Sequence, residues 1–174
     1  MGSLYEGDQI EDIPAPHPLV EGLLDYDSIA QWYGPSGHGK SAIVHSVALS
    51  IAMGVPWYGH RVHRGRVLYV AAEGASGYGA RHMAWKAHHR ISHVSGIDYL
   101  TVAPNLTEKE DLDAILRVVE ERQPQFTVLD TLARHIPGGD DSTGPTMSIM
   151  VEALDAIKRI TGGCASTVHH TGLA

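Results

Sequence analysis

The 174 residues suffice for one domain with a sizeable core, and with 43% hydrophobic and 19% charged residues they read as an ordinary globular chain. No run approaches the roughly 18 apolar residues of a membrane span, and the formal net charge of −7 argues against gripping nucleic acid by overall charge, leaving that to a local basic patch. One cysteine, Cys164, excludes an internal disulfide framework, and no basic-then-apolar leader opens the chain, so a cytoplasmic protein without membrane contact is predicted.

Residues 1–18 are polar, acidic and proline-rich (IPAPHP) and read as an extended arm ahead of a domain over 19–174. Ile29–Tyr33 is a predicted strand. After it, Ile43, Val44, Val47, Ala48 and Ile51 fit one helical face. A basic cluster, His60–Arg66, precedes a second strand, Val67–Ala72, and the segment 77–93 reads as helical with a weak apolar stripe. A third strand is predicted at Tyr99–Ala103. Thr107 with Glu110 has capping-box spacing at the start of a helix whose stripe is Leu112, Ile115, Leu116 and Val119. Phe126–Asp130 is a fourth strand, Met150, Val151, Leu154 and Ile157 mark another helix, and Ala165–His169 is the last strand. This alternation predicts an α/β fold: three layers, with a mainly parallel central sheet between helices. Such sheets bind ligands beyond the C-terminal ends of their strands, where the residues below fall.

Residues 34–41, GPSGHGKS, satisfy G-x-x-x-x-G-K-[ST], the phosphate-binding P-loop pattern. Gly34, Gly37 and Gly39 would let backbone N–H groups of this stretch, which also includes Pro35, Ser36 and His38, curl around phosphate oxygens without Cβ clashes. The following helix adds the positive end of its dipole. Lys40 would reach the β- and γ-phosphates, and the Ser41 hydroxyl would ligate Mg²⁺. Asp130, closing the run FTVLDT, is placed to support that Mg²⁺ through its water shell. Glu73, in VLYVAAEG, could accept a proton from an attacking water. In STVHHTG, either His169 or His170 could contact the γ-phosphate; neighbours in a strand point to opposite faces, and His170 is the favoured one. Nothing matches the guanine-specifying N/TKxD pattern, so ATP is the expected nucleotide.

Taken in order, PLVEGLL, GPSGHGKS, VPWYG, VLYVAAEG, DTLARHIPGGDDSTG and VHHTG resemble the RecA-like branch of P-loop NTPases, and within it the RepA-type hexameric plasmid helicases and phage RecA/DnaB-like ATPases. The resemblance runs from about Pro18 to the C-terminus. It implies ATP hydrolysis coupled to movement on, or remodelling of, single-stranded or branched DNA, in a homo-oligomeric ring that is often a hexamer. Glu73 would be the catalytic carboxylate, Lys40 and Ser41 the phosphate and Mg²⁺ holders, Asp130 the metal-supporting acid and His170 the sensor. The loop Arg134–Thr143 would face the channel, with Arg134 and His135 cationic and Asp140 and Asp141 opposing phosphate contact. The family's further strands, which carry an arginine finger, have no counterpart before Ala174.

Arg81–His93 concentrates Arg81, Lys86, Arg90 and four histidines, with His82, Lys86, His89 and His93 on one predicted helix face near Trp85. Arg81 and Lys86 are therefore candidate contacts to single-stranded DNA. Zinc is not expected, because no cysteine partners the histidines at a suitable spacing, and Cys164 reads as a small core residue. Two other functions fit the sequence. One is a metal-dependent nuclease using Glu73, Asp130, Asp140, Asp141, His169 and His170. The other is a nucleotide-dependent assembly protein that seldom turns over.

Overall fold

Four of the five predicted apolar runs occupy strands close to where their patterns place them, and the computed structural model gathers all five into one sheet. It describes residues 4–72, 75–138 and 144–171. A small antiparallel pair, β1 (Pro18–Val20) and β2 (Leu24–Asp25), leads into β3 (Ser28–Pro35). Then come α1 (Lys40–Met53), β4 (Val67–Ala71), α2 (Ala75–His89), β5 (Ile97–Leu100), α3 (Lys109–Arg122), β6 (Phe126–Asp130), α4 (Leu132–His135), α5 (Gly144–Thr161) and β7 (Cys164–Thr171). The main sheet has the order β3-β7-β6-β4-β5, and every pairing in it is parallel. The fold class expected from the sequence is the one observed.

The inner strands β4 and β6 are buried at every position, as expected of a parallel sheet covered on both faces. Their side chains alternate between two cores. Val67, Tyr69 and Ala71 join Val44, Val47 and Ile51 of α1 on one face, while Leu68 and Val70 join Ile115 of α3 and Met150, Leu154 and Ile157 of α5 on the other. The helix α1 has no simple apolar stripe. Val44, Val47, Ala48, Leu49, Ile51 and Ala52 are buried around much of its circumference, because both the sheet and α2 cover it.

Several local expectations are revised. Ile43 and Val151, assigned to apolar faces, are both 46% exposed. The strand expected at Tyr99–Ala103 is instead β5, at Ile97–Leu100. The capping box does not form: Glu108 is the N-cap of α3, and the Thr107 hydroxyl donates to Asn105 Oδ1 at 2.8 Å. The arm is exposed throughout residues 4–17 and contains a 3₁₀ turn, Gly7–Asp12, that buries nothing.

Candidate functional site

The turn from β3 into α1 builds the phosphate cradle. Gly37 and Gly39 have φ of 77° and 78°, a region that side-chain-bearing residues resist, and Gly39 caps α1 in that conformation. The first intrahelical bonds are donated by Ala42 and Ile43 to the Gly39 carbonyl, leaving the N–H groups of Lys40 and Ser41 without helical acceptors. The Lys40 ammonium donates to the carbonyls of Gly34 and Pro35, both at 2.7 Å, and His38 Nδ1 lies 2.9 Å from the Ser36 carbonyl. Residues Ser36–Ala42, Tyr78, Arg81 and His170 enclose a cleft of about 360 Å³.

At its foot, Asp130 ends the central strand β6 and is only 1% exposed. Ser41 Oγ donates to its Oδ1 at 3.1 Å, and the hydroxyls of Tyr69 and Tyr78 donate to its Oδ2 at 2.7 and 2.6 Å. A serine hydroxyl and a carboxylate oxygen brought together beside a phosphate cradle form a hard-oxygen pair of the kind Mg²⁺ prefers. The parallel register sets Gly34 beside His170, which lines the cleft with its Nδ1 buried and unpartnered. His169 takes another course: its Nδ1 pairs with Gln31 Nε2 at 3.1 Å, and its ring lies 6.3 Å from Tyr33. Glu73 lies outside the described residues, as do Asp140 and Asp141 of the Arg134–Thr143 loop. The end of β4 nevertheless sits beside Asp130, with Ala72 N donating to the Asp130 carbonyl at 2.9 Å.

The basic candidates separate. Arg81 reaches the phosphate cleft, where its guanidinium lies 5.1 Å over the Tyr78 ring, and it also borders a second cleft. This neighbour, about 450 Å³ between α1 and α2, shares Ala42 and Arg81 with the first and is walled by Trp57, Tyr58, Trp85 and His89. Lys86 is half-buried, as are His82 and His89 on the same face of α2, and burial lowers the pKa of both histidines. His135 does not carry the exposed charge expected of it. It is fully buried, its Nδ1 sits 3.1 Å from the Pro104 carbonyl, and desolvation lowers its pKa. Arg134 is exposed. The basic run 60–66 is committed to structure: Arg61 pairs with Glu21 at 2.7 Å, Arg66 with Asp98 at 3.1 Å, and Arg64 donates to the Ala52 carbonyl at 3.2 Å. Cys164 is buried, and burial pushes its thiol up to about 11. Among the described residues no group of three or more His, Cys, Asp or Glu is arranged to hold a metal, and no helix is long and apolar enough to cross a membrane.

One further residue of α1 faces the same region. His45 is fully enclosed by Tyr69, Tyr78, His82 and Tyr99, with Nε2 2.6 Å from the Tyr99 hydroxyl. Desolvation, then the charges of His82 and Arg81, lower its pKa to about 4. Sequence reasoning missed Tyr69 and Tyr78. The strand alternation in VLYVAAEG carries a signal for the first, since Tyr69 shares a face with Ala71, the register partner of Asp130.

A sequence model of the AAA domain family matches residues 3–174. No curated protein matches the sequence. Among solved structures, the chain is similar to a KaiC-like protein of the hyperthermophilic archaeon Pyrococcus horikoshii, with a TM-score of 0.58 at 16% identity. The alignment covers 88% of this chain and 65% of that one, so the chain spans just under two thirds of the archaeal protein's length. The likeness concerns the fold, a RecA-like arrangement of P-loop, parallel sheet and flanking helices. Its sequence places the chain in the AAA domain family, built on the RecA-like P-loop ATPase fold.

Proposed function

We propose that this chain binds ATP with Mg²⁺ and hydrolyses it. The observation carrying the proposal is the meeting of Ser41 and Asp130, oxygen to oxygen at 3.1 Å, at the foot of the P-loop cleft. The free N–H groups at the start of α1 and the Lys40 ammonium would hold the phosphates. Ser41 directly, and Asp130 through water, would hold Mg²⁺, which when bound neutralises charge on the β- and γ-phosphates. His170 lines the cleft, and its ring is the proposed contact to the terminal phosphate. Arg81 supplies a second cation from the same chain. Glu73, two residues beyond β4, is the proposed acceptor of the proton from the attacking water. The adjoining aromatic cleft suits the base, since aromatic faces stack on any nucleobase.

At the finer level, we infer that turnover is coupled to single-stranded or branched DNA in a homo-oligomer, as the resemblance to RepA-type helicases implies. Arg134 remains the proposed DNA contact of the 134–143 loop. His135 is withdrawn from that role by its burial, and Arg81 is reassigned to the nucleotide. The deciding experiment is nucleotide hydrolysis by pure protein with Mg²⁺, with and without single-stranded DNA, beside Lys40→Ala. Turnover lost in the variant and stimulated by DNA supports both levels. Turnover indifferent to DNA leaves the ATPase and removes the DNA coupling. Absence of nucleotide binding removes the whole reading.

A further inference from the structure

We propose that Tyr69 and Tyr78 are positioning residues: they pin one oxygen of the Asp130 carboxylate so that only the other faces the P-loop, and Tyr78 thereby ties α2 to the metal-supporting acid. The inference rests on the reading of the cleft as an ATP–Mg²⁺ site.

Its basis is the asymmetry around one carboxylate. Both phenol hydroxyls converge on Oδ2, at 2.7 and 2.6 Å, while Ser41 alone meets Oδ1. A phenol has one proton to donate, so the 3.5 Å separation of the two hydroxyls is a contact between oxygens that have both spent their protons on Asp130. Tyr69 is fully buried and Tyr78 is 6% exposed, so water does not compete for these bonds.

Packing alone would not select tyrosine here. A buried hydroxyl without a partner is costly, and phenylalanine would fill the same space. The hydroxyls therefore serve Asp130. Rotating that carboxylate would break two short bonds to a charged acceptor, the stronger class of hydrogen bond. Its orientation is set before any metal arrives, with Oδ1 directed at Ser41. Residues that orient a metal-supporting group in this way affect metal affinity without touching the ion.

The two tyrosines also come from different elements. Tyr69 belongs to β4, which is fixed in the sheet, whereas Tyr78 belongs to α2. Three residues beyond Tyr78, about one helical turn, Arg81 enters the phosphate cleft. One hydrogen bond thus ties α2 to Asp130, one turn before Arg81 enters the cleft.

The test measures binding rather than turnover. A fluorescent ATP analogue is titrated into the full chain across a range of Mg²⁺, for the wild type, Tyr69→Phe and Tyr78→Phe, each also combined with Asp130→Asn. The expected result is a Mg²⁺ half-saturation raised about 10–100-fold in each tyrosine variant, with nucleotide affinity in EDTA moving far less. In the Asp130→Asn background the same substitutions should add little, because they act through the group already changed. An unchanged Mg²⁺ half-saturation in folded tyrosine variants, beside a Mg²⁺-dependent wild type, overturns the inference and leaves the ATPase reading intact. So does an equal shift with and without Asp130→Asn. A wild type that binds no nucleotide overturns both. Circular dichroism verifies folding, and Tyr78→Phe, nearer the surface, carries the test should Tyr69→Phe not fold.

Discussion

Acid should destabilise this fold through His45. Its ring is buried among Tyr69, Tyr78, His82 and Tyr99, and its pKa falls from the ordinary 6.5 to about 4. The folded state therefore refuses a proton that the unfolded chain accepts. Stability from this group is intact above about pH 6.5 and is lost as pH falls from there to about 4. The separation of about 2.5 pH units corresponds to roughly 3 kcal/mol at 1.36 kcal/mol per unit. Against a typical total of about 5–15 kcal/mol, that is a large share. His82, His89 and His135 are shifted the same way and add to the loss. The assay is urea denaturation at a series of pH values, comparing the wild type with His45→Gln, which cannot titrate. The two stability curves should converge by roughly 3 kcal/mol as pH drops through this window. Curves that stay parallel, with equal denaturant slopes, would refute the reasoning and show that protonated His45 finds water or a partner in the folded state.

Two further outcomes bear on the cleft. Gly39→Ala places a Cβ where nothing lies within 4 Å, so its cost is conformational: φ of 78° should cost about 1–2 kcal/mol. In a chain this long, each kcal/mol is worth about 2–4 °C of melting temperature, and nucleotide affinity should fall as the cradle relaxes. Trp57→Ala removes an aromatic wall of the second cleft. Loss of base stacking worth about 1–3 kcal/mol should weaken nucleotide binding, while inorganic triphosphate, which has no base, should bind as before in a competition assay.

The parts of the site that were legible in the sequence are those where function is local. A P-loop is one turn between one strand and one helix, so GPSGHGKS carries its whole geometry in eight residues. Asp130 and His170 were legible because strand ends in a parallel sheet share one edge, and an apolar run shows where a strand ends. Charge was less informative, because composition does not report burial. His135 follows a short exposed stretch, yet a one-turn helix carries it into the core. Arg81 counted as part of a basic run, but α2 packs on α1 and sets it at the edge of the P-loop cleft. The failed capping box has a similar cause: Asn105 competes for the Thr107 hydroxyl, a contest that residue spacing alone does not decide. The aromatic cage around Asp130 draws on β4, α2 and β6, three segments that only the fold brings together.

In the sheet order, β3 stands at the border. Among the described residues it is paired in the main sheet with β7 alone, over Ser28 to Pro35. The strand that bears the phosphate loop is thus stitched along one seam, while the strand that bears Asp130 is stitched along two. Amides of β3 that point away from β7 have no ladder acceptor, so deuterium uptake along the strand should alternate between slow and fast positions. Along the ladder, a tug on β3 would pass into β7, where Gly34 faces His170, before it reaches β6; the Ser41–Asp130 bond is the direct link between cradle and acid. The border strand is thus held by one ladder and the acid-bearing strand by two, with β7 the single strand between them.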